Sequence, residues 1–245
     1  MGNNKLKAVL EQIIADFLPQ KCLSCEEFSQ DVLCSKCQTA LIAMPLHCRT
    51  CSDPVQNFGD LCGRCLKYPP VIDFFAAKYR YGNKIRDVIL AAKFAHNRRA
   101  LDFLSLTIKD LAFENRADFA FLDEVFYLLP LPISRPRLQE RSYNQTHYLA
   151  AELAKEQKIT LVKHFLRRKH RLPQSEMESR KARKRNLRDA FYVSNAAKTE
   201  LNGKNILLID DVATTFATIS EAAKCLREEC SVKQIAVLTC AATVL

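Results

Sequence analysis

At 245 residues and 48% hydrophobic content, the chain can hold one medium domain and one small module around a packed core, and it reads as globular. Its 37 Lys and Arg against 27 Asp and Glu leave a net charge of +10, unevenly spread: residues 163–188 hold eleven basic side chains against Glu176 and Glu178, a net +9. An excess concentrated in this way points to a phosphate-rich partner. No stretch is apolar for long enough to span a membrane.

In chain order, Leu6, Val9, Leu10, Ile13, Ile14, Phe17 and Leu18 recur at helical spacing and Pro19 closes the run, so residues 5–18 are expected to form an amphipathic helix. Glu11, Gln12 and Asp16 interrupt the apolar run along the sequence, so it lacks the continuous stretch of a signal peptide. Docking of this helix on the body of the protein is favoured over membrane-surface binding, because acidic residues share its polar face with the lysines. The expected location is the cytoplasm, with a peripheral position at the inner face of the membrane also compatible. Thiols stay reduced there, so clustered cysteines suggest metal rather than disulfides.

Residues 22–65 are cysteine-rich, and Pro69-Pro70 marks a boundary. Beyond it, FFAAKYRY reads as a strand, IRDVILAAKFA as a helix, and AFLDEVFYLLPL as a helix-to-strand passage ending in a buried strand. The helix YNQTHYLAAELAKEQ, the basic segment, the strand NILLIDDV, the helix ATISEAAKCLREE and the strand QIAVLTCA follow. Strands alternating with helices predict an α/β domain, a parallel sheet with helices on both faces. The expected organisation is a helix over 1–20, a cysteine module over 21–70 and the α/β domain over 71–245.

The cysteine pairs Cys22/Cys25, Cys34/Cys37, Cys48/Cys51 and Cys62/Cys65 are each spaced C-x-x-C, with eight to ten residues between pairs. Two thiolates on a tight knuckle can share one metal, and two knuckles complete the tetrahedron that zinc prefers. KCLSC…LCSKC is echoed by HCRTC…LCGRC, so one structural zinc is expected on Cys22, Cys25, Cys34 and Cys37 and a second on Cys48, Cys51, Cys62 and Cys65. Pairing of first with third and second with fourth knuckles satisfies the spacing too. Closed four-cysteine sites have no open position for substrate, which makes the role structural. His47 is a spare donor beside Cys48, and Cys225, Cys230 and Cys240 read as small buried hydrophobes.

NILLIDDVATTFATISEA is a buried strand, two acids at its carboxyl end, a hydroxyl-rich turn and a helix. Asp210 and Asp211 would emerge where ligands bind in open α/β sheets and could accept hydrogen bonds from ribose hydroxyls. Thr214, Thr215 and Thr218, with the backbone amides of Phe216 and Ala217 and the helix N-terminus, form a phosphate cradle. An acidic N-cap after a strand is the blander alternative; two aspartates and three threonines within nine residues weigh against it.

This stretch resembles the phosphoribosyl-pyrophosphate loop of type I phosphoribosyltransferases, and nearly the whole chain resembles the ComF family of competence-related proteins. The likeness includes the cysteine knuckles and YRYGNKIRDVILAAKF with Tyr81, Gly82 and Lys93. It continues through LPLPISRPRLQERSYNQ with Arg141, Asn144 and Gln145, and LPQSEMESRKARKRNLRDAF with Gln174, Arg180, Arg183 and Asn186. The resemblance implies a phosphoribosyltransferase-type fold preceded by a double zinc ribbon, acting in natural transformation on incoming DNA. It also implies a pyrophosphate-side loop at residues 132–141 with Arg135, Arg137 and Arg141, and a mobile flap at residues 167–185. Phe216 stands where the family has glycine, and Ser142 replaces the glycine of the family's RGFNQ motif. The expectation is a retained ribose-phosphate site without efficient transferase activity.

Three functions follow as expectations. The first is handling of single-stranded DNA, with Arg167, Arg168, Lys169, Arg171, Arg180, Lys181, Arg183, Lys184 and Arg185 as phosphate contacts; a solvated flap is the bland alternative. The second is a transferase using magnesium and phosphoribosyl pyrophosphate or a related ribose phosphate. The third is an adaptor whose zinc ribbons dock a DNA-uptake channel or helicase.

Overall fold

The computed structural model describes residues 20–57, 59–95, 97–115, 126–157, 159–162, 166–168 and 190–244. The expected helix over 5–18 lies outside them. Five parallel strands form the central sheet in the order β1-β7-β6-β2-β3: β1 is Phe74–Arg80, β2 Phe126–Pro130, β3 Thr160–Leu161, β6 Asn205–Ala213 and β7 Gln234–Ala242. A separate antiparallel ribbon joins β4 (Leu166–Arg168) to β5 (Phe191–Val193). The helices are α1 (Ser35–Thr39), α2 (Gly63–Lys67), α3 (Asn83–Phe94), α4 (Arg98–Glu114), α5 (Arg135–Arg141), α6 (Gln145–Gln157), α7 (Asn195–Leu201) and α8 (Ala217–Cys230).

The middle strands β6 and β7 are apolar along most of their length because a parallel sheet is covered on both faces. Alternate residues supply two cores. Phe75, Leu129, Ile206, Leu208, Ile235 and Val237 face α7 and α8, whereas Phe74, Leu128, Leu207, Ile209, Ala236 and Leu238 face α3, α4 and α6. The predicted α/β architecture is thus present, with helices on both faces. The 17-residue α4 has no counterpart among the sequence-based expectations, although Asn97 caps it from its side chain and Leu101, Leu104, Ile108 and Leu111 follow helical spacing.

The cysteine-rich segment straddles the β1 edge. Cys22 and Cys37 belong to the core on the α3–α4 face; Cys48, Cys51 and Cys65 belong to the core on the α8 face. Between them, Met44 N–H donates to the Lys78 carbonyl at 2.9 Å and Arg80 N–H to the Ile42 carbonyl at 2.9 Å, so the connecting strip occupies part of the edge. Covering an edge strand removes a template for unwanted pairing. At the start of β1, Asp73 Oδ2 accepts from Arg227 Nη2 at 2.5 Å and from Ile235 N–H at 2.7 Å, tying the strand entry to α8 and β7. Among the described residues no helix is long and apolar enough to cross a membrane.

Candidate functional site

The eight knuckle cysteines gather into two groups, Cys22/Cys25/Cys34/Cys37 and Cys48/Cys51/Cys62/Cys65, with the four sulfurs of each within 4.8 Å of one another. The grouping is the sequential one, not the pairing of first with third and second with fourth. Sulfur separations of 3.6 Å for Cys25–Cys34, 3.8 Å for Cys51–Cys62 and 3.6 Å for Cys51–Cys65 are too long for disulfides. A tetrahedral ion with Zn–S bonds of about 2.3 Å requires sulfurs about 3.8 Å apart, so the donor set fits zinc.

The electrostatics of the first cluster also call for a cation. Burial opposes ionisation of Cys22, yet hydrogen bonds from the Cys25, Cys34 and Ser24 backbones bring it down to about 6. Cys37 is pushed up to about 12 by burial and by its sulfur neighbours. One thiolate forms readily, and its charge resists the next unless a metal shares the site. In the second cluster Arg64 lies 3.3 Å from Asp53, whose Oδ2 also accepts from Cys62 at 3.1 Å. His47 is not drawn into this cluster: its Nδ1 lies 2.9 Å from the Pro45 carbonyl, and its ring meets Phe75 edge-on at 5.5 Å. Cys230 and Cys240 are buried, and Cys225 is partly so.

At the carboxyl end of β6 the chain turns through Thr214, Thr215 and Phe216 into α8. Both threonines are exposed, and Ala217 and Thr218 are half-buried in the first turn of the helix. Phe216 has φ +56° and ψ −6°, the left-handed conformation that glycine enters without penalty. Its side chain does not lie over the turn. It is 9% exposed and packs edge-on against Phe75, ring centroids 4.6 Å apart, within the α8-side core. Ser142, at the other replaced glycine, ends α5 with φ +60°. Both substituted positions therefore keep the backbone state that glycine would supply.

The two aspartates are placed differently. Asp210 is half-buried, and its Oδ1 accepts from Asp211 N–H at 2.9 Å. Asp211 is 3% exposed and turns inward: Oδ2 accepts from Lys93 Nζ at 2.9 Å and from Gln145 Nε2 at 3.0 Å. Gln145 Oε1 in turn accepts from Arg141 Nη1 at 3.4 Å, and the Arg141 guanidinium stacks on the Phe94 ring at 4.7 Å. Burial lowers the Arg141 pKa, and nearby Arg137 acts in the same direction. Lys93 and Gln145 are supporting residues to which the sequence reading attached no role. The signal for Lys93 was a cation one turn after Ile89, on the face of α3 that buries Ile85, Val88 and Ile89.

The expected pyrophosphate-side arginines differ in exposure and surroundings. Arg141 is buried in the Asp211 network, Arg137 is exposed, and Arg135 lines an open groove of about 800 Å³ with Pro132, Tyr143, His147 and Tyr148. Of the basic residues, Arg167 and Arg168 lie on β4; Lys169, Arg171, Arg180, Lys181, Arg183, Lys184 and Arg185 lie outside the described residues. The β4–β5 ribbon brings the two ends of that segment together, pairing Arg168 with Phe191.

No protein-family model matches the chain. Curated relatives do. Competence protein F of Haemophilus influenzae is 29% identical over 221 residues, covering 87% of this chain and 93% of that protein. Competence protein ComFC of Bacillus subtilis is 28% identical over 229 residues, covering 85% and 89%. DNA utilization protein YhgH of Escherichia coli K12 is 25% identical over 207 residues, covering 79% and 83%. Relatives spanning most of both lengths, together with the paired knuckles and the parallel α/β body, support the resemblance to the ComF family.

Proposed function

We propose that the chain is a competence-related protein that handles incoming single-stranded DNA in the cytoplasm, and that its α/β body carries a ribose-phosphate pocket at the end of β6. The names of its relatives, two competence proteins and a DNA utilization protein, support the first part. The observation that carries the second is the left-handed backbone at Phe216. The turn keeps its glycine-like path into α8 while the ring is stored in the core, which leaves the exposed Thr214 and Thr215 and the first-turn amides on the ligand side. In this reading Asp210 meets the ribose, magnesium arrives with a phosphoribosyl pyrophosphate-type ligand, and Asp211 braces the strand end from within.

The two four-cysteine groups hold structural zinc and supply folding free energy to a module with little core of its own. The basic segment between β4 and β5 tracks the DNA backbone. Equilibrium binding of labelled single-stranded DNA across a salt series tests this assignment. The full chain should show a log–log slope of about −0.7 per phosphate neutralised. Arg180→Ala with Arg183→Ala should make that slope shallower, and a salt-independent affinity would contradict the assignment.

A second reading, an active transferase, gains from the same storage of the Phe216 ring, since the side chain does not fill the turn. Against it stands Asp211, whose carboxylate is committed to Lys93 and Gln145. Pyrophosphate release assayed with the four bases and common heterocycles separates the two, with turnover on any of them favouring the transferase.

A further inference from the structure

The two cysteine groups lie on opposite faces of the sheet, and the second is joined to the β6 turn along two routes. Ser52 follows Cys51 and is fully buried; its Oγ donates to the Thr243 carbonyl at 2.6 Å. Thr243 N–H donates to the Ala213 carbonyl at 2.9 Å, and Ala213 immediately precedes Thr214. On the other side of this knuckle, the Arg49 carbonyl, next to Cys48, accepts from Phe75 N–H at 2.6 Å. The Phe75 ring carries Phe216 edge-on at 4.6 Å and His47 at 5.5 Å. Cys48 and Cys51 are thus connected to both residues that bracket Thr214 and Thr215. The first group is anchored elsewhere: Ser24 Oγ donates to Asp87 on α3 at 2.6 Å, and Arg99 on α4 donates to the Gln30 carbonyl at 2.8 Å.

A four-cysteine site does not need a buried hydroxyl reaching 191 residues along the chain to complete it. Ser52 does something else. It fixes the carbonyl of Thr243, whose amide holds the last residue of β6, so the knuckle geometry and the turn geometry are set together. Metal binding organises the group, because its four thiols are held together by a shared cation.

We infer that zinc occupancy of the Cys48/Cys51/Cys62/Cys65 group and anion binding at the β6 turn are thermodynamically coupled, with Ser52 as the positioning residue that links them. The inference rests on the ribose-phosphate reading above. Coupling between two sites is reciprocal, so a ligand whose affinity depends on the second zinc must raise the affinity for that zinc by the same factor. The first zinc stays outside the linkage.

The test uses the full zinc-loaded chain, Ser52→Ala and, as a control on the first knuckle, Ser24→Ala. Magnesium phosphoribosyl pyrophosphate is titrated calorimetrically, and zinc partitioning to a chromogenic chelator is measured at equilibrium with and without saturating ligand. In the wild type, ligand should raise the equilibrium affinity for one of the two zinc ions about fivefold or more, read as the higher chelator concentration needed to remove it, and leave the other unchanged, fivefold being the low end of ordinary coupling. Ser52→Ala should bind the ligand at least about fivefold more weakly and lose that protection, and Ser24→Ala should match the wild type. Ligand binding to the wild type with both zinc affinities unaltered overturns the coupling, as does Ser52→Ala with wild-type affinity and protection. If the wild type binds no ligand, the ribose-phosphate reading itself fails and the coupling falls with it. Should Ser52→Ala not fold, the wild-type protection measurement still decides the matter.

Discussion

Replacing Phe216 with glycine sets two effects of opposite sign against each other. The left-handed backbone at φ +56° costs a non-glycine residue about 1–2 kcal/mol, which glycine would recover. The ring is 9% exposed and stacked edge-on with Phe75; removing a buried phenylalanine side chain costs about 3–5 kcal/mol. The ring should win, leaving Phe216→Gly destabilised by about 2–3 kcal/mol, or about 5–10 °C in apparent Tm for a chain of this size. Phe216→Ala loses the ring and keeps the backbone penalty, so it should be worse by about a further 1 kcal/mol. Ser142→Gly provides the internal comparison. Ser142 is exposed at φ +60°, so the same substitution there should stabilise by about 1 kcal/mol. Urea denaturation of the zinc-loaded proteins gives the ranking Ser142→Gly, wild type, Phe216→Gly, Phe216→Ala. A Phe216→Gly protein more stable than wild type would refute the claim that the ring is stored in the core.

Lys93→Met should cost about 3–5 kcal/mol, because it leaves the Asp211 carboxylate buried without its cation; combining it with Asp211→Asn should restore part of that loss in a double-mutant cycle read by denaturant midpoints. Native mass spectrometry should find two zinc ions per chain, and Cys25→Ser with Cys34→Ser should remove one while leaving the second bound. Stripping both ions with a strong chelator should unfold the cysteine segment, since structural zinc supplies roughly 10–16 kcal/mol in comparable small peptides; circular dichroism and limited proteolysis would report the loss.

Much of this architecture is legible in the sequence for local reasons. The apolar runs of β6 and β7 announce buried parallel strands, and the knuckle spacing announces two metal sites. What stayed hidden is tertiary. Asp211 and Lys93 lie 118 positions apart, and the sequence shows only that each is polar beside apolar neighbours, not that one neutralises the other. The aspartate pair therefore reads as two ribose contacts until the inward turn of the second is seen. The helix α4 escaped for a different reason. Its periodicity and its Asn97 cap are present, but no glycine or proline separates it from α3 after Phe94. The placement of one cysteine group on each face of the sheet depends on the strip along β1 and has no local signal.

The central claim is that the turn from Asp210 to Thr218 binds a ribose phosphate, and titration calorimetry with magnesium phosphoribosyl pyrophosphate tests it most directly. The full zinc-loaded chain should bind one equivalent, and Asp210→Asn should weaken binding about tenfold or more, the equivalent of losing one charge-assisted hydrogen bond. Saturable binding lost in that variant is the predicted result; no binding by the wild type, or equal affinity in Asp210→Asn, would contradict the account.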